Sequence, residues 1–189
     1  MSPPDEDDAA IIRRSLREPE RFAAIFDRHA AHIMRYLAHR LGRQVADDLV
    51  AETFLVAFGA RAKFDLDRRD ARPWLYGIAT NLVRRRQRED GREYRLRAAI
   101  VPEPNTDGHA DRVVEQVTAE AMNPLLGAAL TGLSSGDRDV LLLVAWEGLS
   151  YDEVAQALDI PIGTVRSRLS RARKQVRAVL TVKESVNRG

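Results

Sequence analysis

The stretch GLSYDEVAQALDIPIGTVRSRLSRAR, residues 148–173, decides how the C-terminal part of the chain folds. Ser150 and Glu153 have the spacing of a capping box, in which the serine oxygen accepts the third helical N–H and the glutamate reaches back. This predicts a helix over Tyr151–Leu158. A tight turn ending in Pro161 follows, and proline suits the first position of a new helix because its missing N–H would be unpaired there. The second helix is predicted to extend to about residue 180, which makes the pair a helix-turn-helix.

The second helix has one apolar side and one cationic side. On a helical wheel its apolar residues form a single stripe of Val165, Leu169, Ala172, Val176 and Val179/Leu180. Between Gly163 and Leu180 there are six basic residues and no acidic one. Like charges four residues apart repel, so the pattern indicates an anionic partner, although a solvated cationic surface helix is the alternative.

In a helix-turn-helix the second helix enters the major groove and its N-terminal part reads base edges. The residues placed for base edges are Thr164, Arg166, Ser167, Ser170 and Arg171. The residues better placed for phosphates are Arg168, Arg173, Lys174 and Arg177.

The whole chain reads as an all-α protein of two small helical domains joined by a flexible acidic linker. Apolar residues recur every three or four positions through most of the 189 residues. The exception is residues 98–123, a proline-containing stretch with five acidic residues and only one basic residue, an arginine. We therefore divide the chain into a partly disordered acidic N-terminal tail, a first domain, a linker, a second domain and a C-terminal tail, at 1–18, 19–97, 98–123, 124–182 and 183–189. Within the linker, 112–121 is a candidate short helix.

Several classes of protein are disfavoured by composition. The chain has no cysteine, so disulfides and thiolate metal sites are excluded. Its longest apolar run, Val140–Trp146, is too short to span a membrane, and the acidic N-terminus is not a secretory signal, so we expect a cytoplasmic protein without membrane insertion. His29 and His32 have no visible third ligand, and no phosphate-binding loop or catalytic constellation is present. We expect no metal, no cofactor and no enzymatic activity.

Arginine accounts for 27 of the 30 basic residues. The guanidinium pairs bidentately with phosphates and guanine edges, although codon bias in a GC-rich genome gives the same ratio.

The first domain carries two further motifs. Residues 47–58 have apolar side chains on all sides of the predicted helix and three acids in its first two turns. The acids are explained equally well by their favourable interaction with the helix dipole and by a docking patch that combines acidic and apolar side chains. Further on, Trp74, Asn81 and Arg88 recur every seven residues, with Arg85 beside them. An aromatic ring, an amide and guanidinium groups along one helix edge can bind single-stranded DNA, whereas a tryptophan taken alone is more often a core residue.

Residues 148–155 and 160–173 closely resemble the C-terminal domain of bacterial sigma factors of the sigma-70 family, with the best match to the extracytoplasmic-function (ECF, group 4) class. The resemblance implies that the basic helix reads the minus-35 promoter element. Residues 47–58 resemble the family's helix that docks on the polymerase clamp, which implies polymerase-binding roles for Asp47, Asp48, Leu49, Glu52 and Phe54. Residues 73–88 resemble the helix that, with the loop before it (Phe64–Arg72), binds the melted minus-10 element. Here the implied residues are Trp74, Tyr76, Asn81, Arg84, Arg85 and Arg88.

By this resemblance the first domain is sigma region 2-like and the second is sigma region 4-like. The implied function is that of an alternative sigma factor, which binds promoter DNA and core RNA polymerase through the clamp of its largest subunit and the flap of the second largest. An anti-sigma factor is a further implied partner, and the acidic linker would mimic an RNA backbone in the polymerase. The alternative is a helix-turn-helix transcription regulator that never becomes a polymerase subunit, which would need neither motif of the first domain.

Overall fold

The structure is a computed structural model that describes residues 6–100 and 124–186. Over these ranges it consists of helices and their connections, and the prediction of an all-α protein with two helical domains is confirmed. In chain order the elements are α1 (Asp8–Ser15), a 3-10 helix (Pro19–Phe22), α2 (Ala23–Leu41), α3 (Arg43–Ala60), a second 3-10 helix (Arg61–Lys63), α4 (Arg72–Ile100), α5 (Pro124–Thr131), α6 (Ser135–Ala145), α7 (Tyr151–Leu158) and α8 (Ile162–Val186). We call α1–α4 the N-terminal lobe and α5–α8 the C-terminal lobe.

Two of the domain boundaries move. The first three residues of the expected linker continue α4, and the rest of it, with its candidate helix, lies outside the described residues. The last helix continues to Val186, past its expected end near residue 180.

The N-terminal lobe is built on α2 and α3, which fold back on each other at Gly42. This residue ends one helix and begins the next with φ 84°, a conformation that favours glycine. Helix α4 packs against both. The resulting core contains Ile33, Leu37, Val50 and Leu75, all of them buried.

The N-terminal segment contains a helix, although the sequence pattern predicts a tail over residues 1–18. Asp7 caps α1 by accepting a hydrogen bond from Ala10 N at 2.8 Å. Ile11 and Ile12 are fully buried in the core of the lobe. Residues 8–15 are therefore an ordered part of the N-terminal lobe, and the interpretation of this stretch as a tail is corrected.

The C-terminal lobe contains the helix-turn-helix, formed by α7 and α8. Both hydrogen bonds of the capping box are present, from Ser150 N to Glu153 Oε2 at 2.7 Å and from Glu153 N to Ser150 Oγ at 3.3 Å. Asp159 closes α7 in the left-handed region with φ 51°. The predicted bounds of α7 are confirmed.

The apolar stripe of α8 is confirmed over its first half. Val165, Leu169 and Ala172 are buried against the other helices of the lobe. Val176 is half-buried and still packs against the core, whereas Val179 is exposed, so α8 leaves the lobe beyond Val176.

The two lobes are in direct contact. Helix α7 lies against α4, and a Cβ added at Gly77 would lie 2.5 Å from the carbonyl oxygen of Ala157. Beside this contact, the buried carboxylate of Asp139 in α6 accepts hydrogen bonds from Arg40 and from Arg84 Nε, the latter at 2.8 Å. A charge buried in this way must be paired, and here the pairing crosses between the lobes.

Tyrosine hydroxyls extend this network between the lobes. Arg40 donates to the Tyr36 hydroxyl at 2.8 Å, which lies 2.8 Å from Thr80 Oγ1. Tyr76 donates across the lobe boundary to the carboxylate of Glu147. Burial raises the pKa of Tyr76, and the hydrogen bond to Glu147 raises it further, so the phenol stays protonated and remains a donor.

Candidate nucleic-acid and polymerase interfaces

The cationic side of α8 is exposed. Most of its predicted DNA-binding residues are open to solvent, namely Arg166, Ser167, Ser170, Arg171, Arg173, Lys174 and Arg177, whereas Thr164 and Arg168 are half-buried. Together with Tyr151 of α7, part of this face lines an open groove of about 790 Å³. An exposed helix face rich in guanidinium groups suits a polyanion, because arginine pairs bidentately with phosphate.

Arg171 already has a partner within the lobe. Its Nη2 and Nε lie 2.9 and 3.3 Å from the two carboxylate oxygens of Asp137, at the start of α6. Burial opposes ionisation of Asp137, but hydrogen bonds from Arg171 and Ser134 outweigh it and lower the pKa of the carboxyl. The pair fixes the direction of the Arg171 guanidinium, which remains more than half exposed. A base contact by Arg171 would therefore use the nitrogens that Asp137 does not occupy, or would break this pair.

Arg168 packs against the same helix, and its guanidinium covers Gly136. A Cβ added at Gly136 would lie 2.9 Å from Arg168 Nη1. This contact explains why Arg168 is half-buried while the nearby Arg166 and Arg171 are exposed.

The predicted minus-10 residues on α4 fall into two groups. Asn81 and Arg88 are exposed and, with Arg84, Gln87 and Ser135, line an open cleft at the boundary between the lobes. Trp74 is half-buried, with its ring centroid 5.0 Å from that of Phe64.

The other predicted minus-10 residues are engaged within the protein. Tyr76 is buried with its ring against Tyr36, so in this arrangement it offers no stacking surface, contrary to the role implied for it. Arg84 is half-buried in its ion pair with Asp139. Arg85 is exposed and pairs with Glu52 of α3 and with Glu89 one turn along α4.

The predicted polymerase-binding residues of α3 point in opposite directions. Asp47 and Asp48 are exposed, and Glu52 is half-buried beside Arg85. Leu49 and Phe54 are buried in the core of the lobe, so neither presents its side chain to a partner, and this part of the prediction is corrected.

Leu55 was missed by the sequence analysis, although it is the apolar residue that α3 exposes most, with 71% of its surface open. It lies seven residues after Asp48 and three after Glu52, hence on the same helix face. Counting three or four residues at a time along the helix from Asp48 and Glu52 would have placed Leu55 on their face.

His29 lies beside two carboxylates that the sequence pattern did not place near it. Ligating atoms of Asp8, His29 and Asp70 lie within 4.8 Å of one another. The Asp8 carboxylate, however, already accepts hydrogen bonds from Arg28, His29 and the Ala71 N–H. The cluster is therefore explained by hydrogen bonding within the lobe, with a guanidinium as its cation.

No described helix combines the length and the apolar character that crossing a bilayer requires.

The fold and the cationic face of α8 define a two-lobed helical protein with a helix-turn-helix, a motif that binds nucleic acid. Residues 25–93 match the model of Sigma-70 region 2, and residues 125–176 match that of Sigma-70, region 4. The chain is 36% identical over 143 residues to the probable RNA polymerase sigma-C factor of Mycobacterium bovis, covering 75% of this chain and 73% of that protein. It is 30% identical over 173 residues to the ECF RNA polymerase sigma factor SigL of Mycobacterium tuberculosis, covering 91% and 96%.

Solved structures share the fold. The sigma factor RpoE of Bartonella quintana, crystallised with the anti-sigma factor NepR, superposes with a TM-score of 0.65 at 23% identity, covering 85% of this chain and 97% of that one. CnrH, in complex with the cytosolic domain of CnrY, gives a TM-score of 0.64 at 24% identity, covering 93% and 97%. The chain belongs to the sigma-70 family, with ECF sigma factors among its relatives, and is an RNA polymerase sigma factor. A regulator that acts outside the polymerase is not favoured, because region 2 is matched as well as region 4.

Proposed function

We propose that this sigma factor belongs to the group 4 ECF class, directs core RNA polymerase to a two-part promoter and helps to open it. Helix α8 would read the upstream (minus-35) element, and α4 with the loop before it would bind the melted downstream (minus-10) element. The observation that carries the proposal is the cationic face of α8, the second helix of a helix-turn-helix. Between Gly163 and Leu180 this helix has six basic residues, five of them exposed, and no acid.

Run-off transcription with purified core polymerase on a promoter library tests this role. We expect transcripts from a subset of templates that share two short elements separated by a fixed spacing. A matched pair of variants is Arg173→Glu on the exposed face of α8 and Arg13→Glu on the exposed face of α1. Because Arg173 is placed for a phosphate, the first should weaken binding to the upstream duplex and lower transcription on every selected template, and the second should leave both unchanged. Transcription without template preference would contradict the proposal.

We assign polymerase docking to the face of α3 that carries Asp48, Glu52 and Leu55. An exposed leucine beside carboxylates suits a partner surface that offers both apolar contacts and basic side chains. The flap of the second largest polymerase subunit is the proposed partner of the C-terminal lobe. This second assignment rests on the family resemblance alone.

The docking face can be tested by co-purification with core polymerase. Asp48→Arg and Leu55→Ser should each abolish association while circular dichroism and the thermal midpoint stay close to those of the unmodified chain. Glu20→Arg, which reverses an exposed charge on the 3-10 helix of the same lobe, is the matched control and should bind normally. Retention of binding by both docking variants would remove this face from the interface.

We also propose that an anti-sigma protein binds this chain. We propose further that the chain acts in the cytoplasm and catalyses no reaction. The sigma factor RpoE, which shares the fold, is crystallised with an anti-sigma factor, and CnrH, also of this fold, is in complex with the cytosolic domain of CnrY, which supports the first part. A polypeptide that co-purifies with the tagged chain should, once purified, suppress run-off transcription in proportion to the amount added. A co-purifying protein that leaves transcription unchanged would not be an anti-sigma factor.

A further inference from the structure

The carboxylate of Asp8 joins three separate segments of the N-terminal lobe. It belongs to the first turn of α1, and its Oδ2 accepts a hydrogen bond from Ala71 N at 2.9 Å and lies 2.7 Å from His29 Nε2 in α2. Its Oδ1 accepts from Arg28 Nη1 at 3.0 Å. All of these distances are those of strong charge-assisted hydrogen bonds.

The main chain of Asp8 makes a fourth contact, which is its second with the loop. Its N–H donates to the carbonyl oxygen of Arg69 at 3.1 Å. Asp8 therefore holds the loop on both sides of Asp70, through the carbonyl before it and the N–H after it. The carboxylate of Asp70 accepts hydrogen bonds from Arg72 N and Arg72 Nε, both at 2.8 Å, at the start of α4.

Because Asp8 is buried, its carboxylate depends on these hydrogen bonds to stay ionised. Asp8 is only 5% exposed. Burial works against its ionisation, yet the hydrogen bonds from His29, Ala71 N and Arg28 outweigh burial and hold the pKa of the carboxyl below its usual value. The charged form of Asp8 is thus part of the folded lobe, and losing it would leave the last residues of the loop without their anchor.

Two arginine side chains of the loop face outward. Arg68 and Arg69 are exposed, and the side chain of Arg69 is 90% open to solvent. Arg68 Nε lies 3.4 Å from Asp65 Oδ2, and Arg69 Nε lies 4.0 Å from Asp7 Oδ2. The loop therefore combines a main chain held by Asp8 with exposed guanidinium groups in surface ion pairs, which are weak enough to exchange for another anion. Preorganisation of this kind favours selective binding, because little ordering remains to be done when a ligand arrives.

We propose that Asp8 is a positioning residue for base selection by the loop Phe64–Arg72, so that α1 forms part of the downstream promoter site. This inference rests on the proposed function of that loop. It also extends the site beyond the region 2 match, which begins at residue 25.

The test is binding of the assembled holoenzyme to promoter templates that are already melted over the downstream element. Each position of that element is varied to all four bases, and fluorescence anisotropy gives the affinity for each template. We expect the unmodified chain to discriminate between bases and Asp8→Ala to reduce that discrimination about tenfold at one or two positions, the size of a lost bidentate base contact. Affinity for the upstream duplex should not change.

A matched control separates positioning from stability. Ser15→Ala removes a buried hydroxyl that donates to Ile12 O, at the other end of the same helix and away from the loop. It should lower the thermal midpoint without changing the ratios between bases. Asp8→Asn keeps an acceptor for Ala71 N while losing the charge, so it should retain the fold and show a partial loss of discrimination even where Asp8→Ala fails to fold.

Three outcomes would overturn the inference, and they are distinguishable. If Asp8→Ala and Asp8→Asn lower stability while the ratios between bases stay those of the unmodified chain, Asp8 is structural only. If Ser15→Ala reduces discrimination equally, the effect comes from loosening of α1 in general. If the unmodified holoenzyme shows no base preference on these templates, the proposed function of the loop itself fails, and the inference fails with it.

Discussion

The contact between α4 and α7 depends on the absence of a side chain at Gly77, which makes it directly testable. A Cβ at this position would lie 2.5 Å from the carbonyl oxygen of Ala157. Ordinary contacts of this kind begin near about 3.5 Å, so α7 would have to withdraw by about 1 Å. Overpacking of this size costs about 1–3 kcal/mol. Replacing glycine by alanine inside a helix stabilises the helix by about 1 kcal/mol.

These two effects act on different states of the protein. The gain in helix stability is present whether or not the lobes touch, whereas the steric cost applies only when they touch. Gly77→Ala should therefore shift the equilibrium between contacting and separated lobes about 5- to 150-fold toward separation. The ion pairs that Asp139 makes with the N-terminal lobe lie at the same boundary and would weaken with the same movement.

Energy transfer between two fluorophores measures the separation. The natural chain contains no cysteine, so cysteines introduced at Ala31 in α2 and Gln175 in α8, both exposed, can be labelled selectively. We expect Gly77→Ala to lower the transfer efficiency. Gly91→Ala is the matched control on the same helix, because its Cβ would meet no atom within 4 Å. It should leave the transfer efficiency unchanged and raise the free energy of unfolding by up to about 1 kcal/mol.

The reasoning would be refuted in either of two ways. If Gly77→Ala keeps the original transfer efficiency and lowers the free energy of unfolding, the clash is absorbed by deformation within the lobes and does not separate them. If it behaves as Gly91→Ala does, α7 does not lie against α4 in solution.

Three further predictions concern charged groups. Asp139→Asn should destabilise the contact between the lobes by up to about 3–5 kcal/mol, because it leaves the buried guanidinium of Arg40 and the half-buried one of Arg84 without their carboxylate. Separation of the lobes would expose both groups to water and reduce this cost, so denaturant unfolding should be measured together with the energy transfer. Arg171→Ala should cost about 1–3 kcal/mol of binding at one upstream promoter position, whereas an equal loss on every sequence would make it a phosphate contact. The pKa of Asp8 is lowered in the fold, so its contribution is complete above the pKa of the unfolded chain, near 3.8, and is lost as the pH falls through the folded pKa. Urea unfolding between pH 6 and pH 3 should show this loss, and Asp8→Asn should reduce its slope.

Local signals made α7 predictable from the sequence. Ser150 and Glu153 fix its first turn by hydrogen bonds over three residues, and Pro161 suits the start of the next helix wherever the rest of the chain lies. The buried stripe of α8 was equally accessible, since residues at Val165 and Leu169 share a face in any helix. Information of this kind does not depend on the partner against which the helix packs.

Helix α3 and helix α1 required more than local signals. The apolar residues of α3 surround the whole helix, so its sequence does not say which of them face the core, and Leu49 and Leu55 look equivalent until the neighbouring helices are in place. Helix α1 is eight residues long, too short to be stable alone in water. Its stability comes from burial of Ile11 and Ile12 and from the bonds of Asp8 to distant residues, none of which a reading along the chain can reveal.

Arg84 shows why the contact between the lobes could not be predicted from the sequence. A guanidinium pairs with a phosphate or a carboxylate by the same geometry, and the carboxylate that it meets, Asp139, is 55 residues away. The hydrogens that Arg84 gives to Asp139 are not available to DNA, so a phosphate contact through them requires this pair to break. Binding of DNA by Arg84 and separation of the lobes are therefore linked, and each must favour the other by the same factor. Under the proposed function, promoter DNA that reaches α4 should itself lower the transfer efficiency between the lobes, and Asp139→Asn should reduce the size of that change.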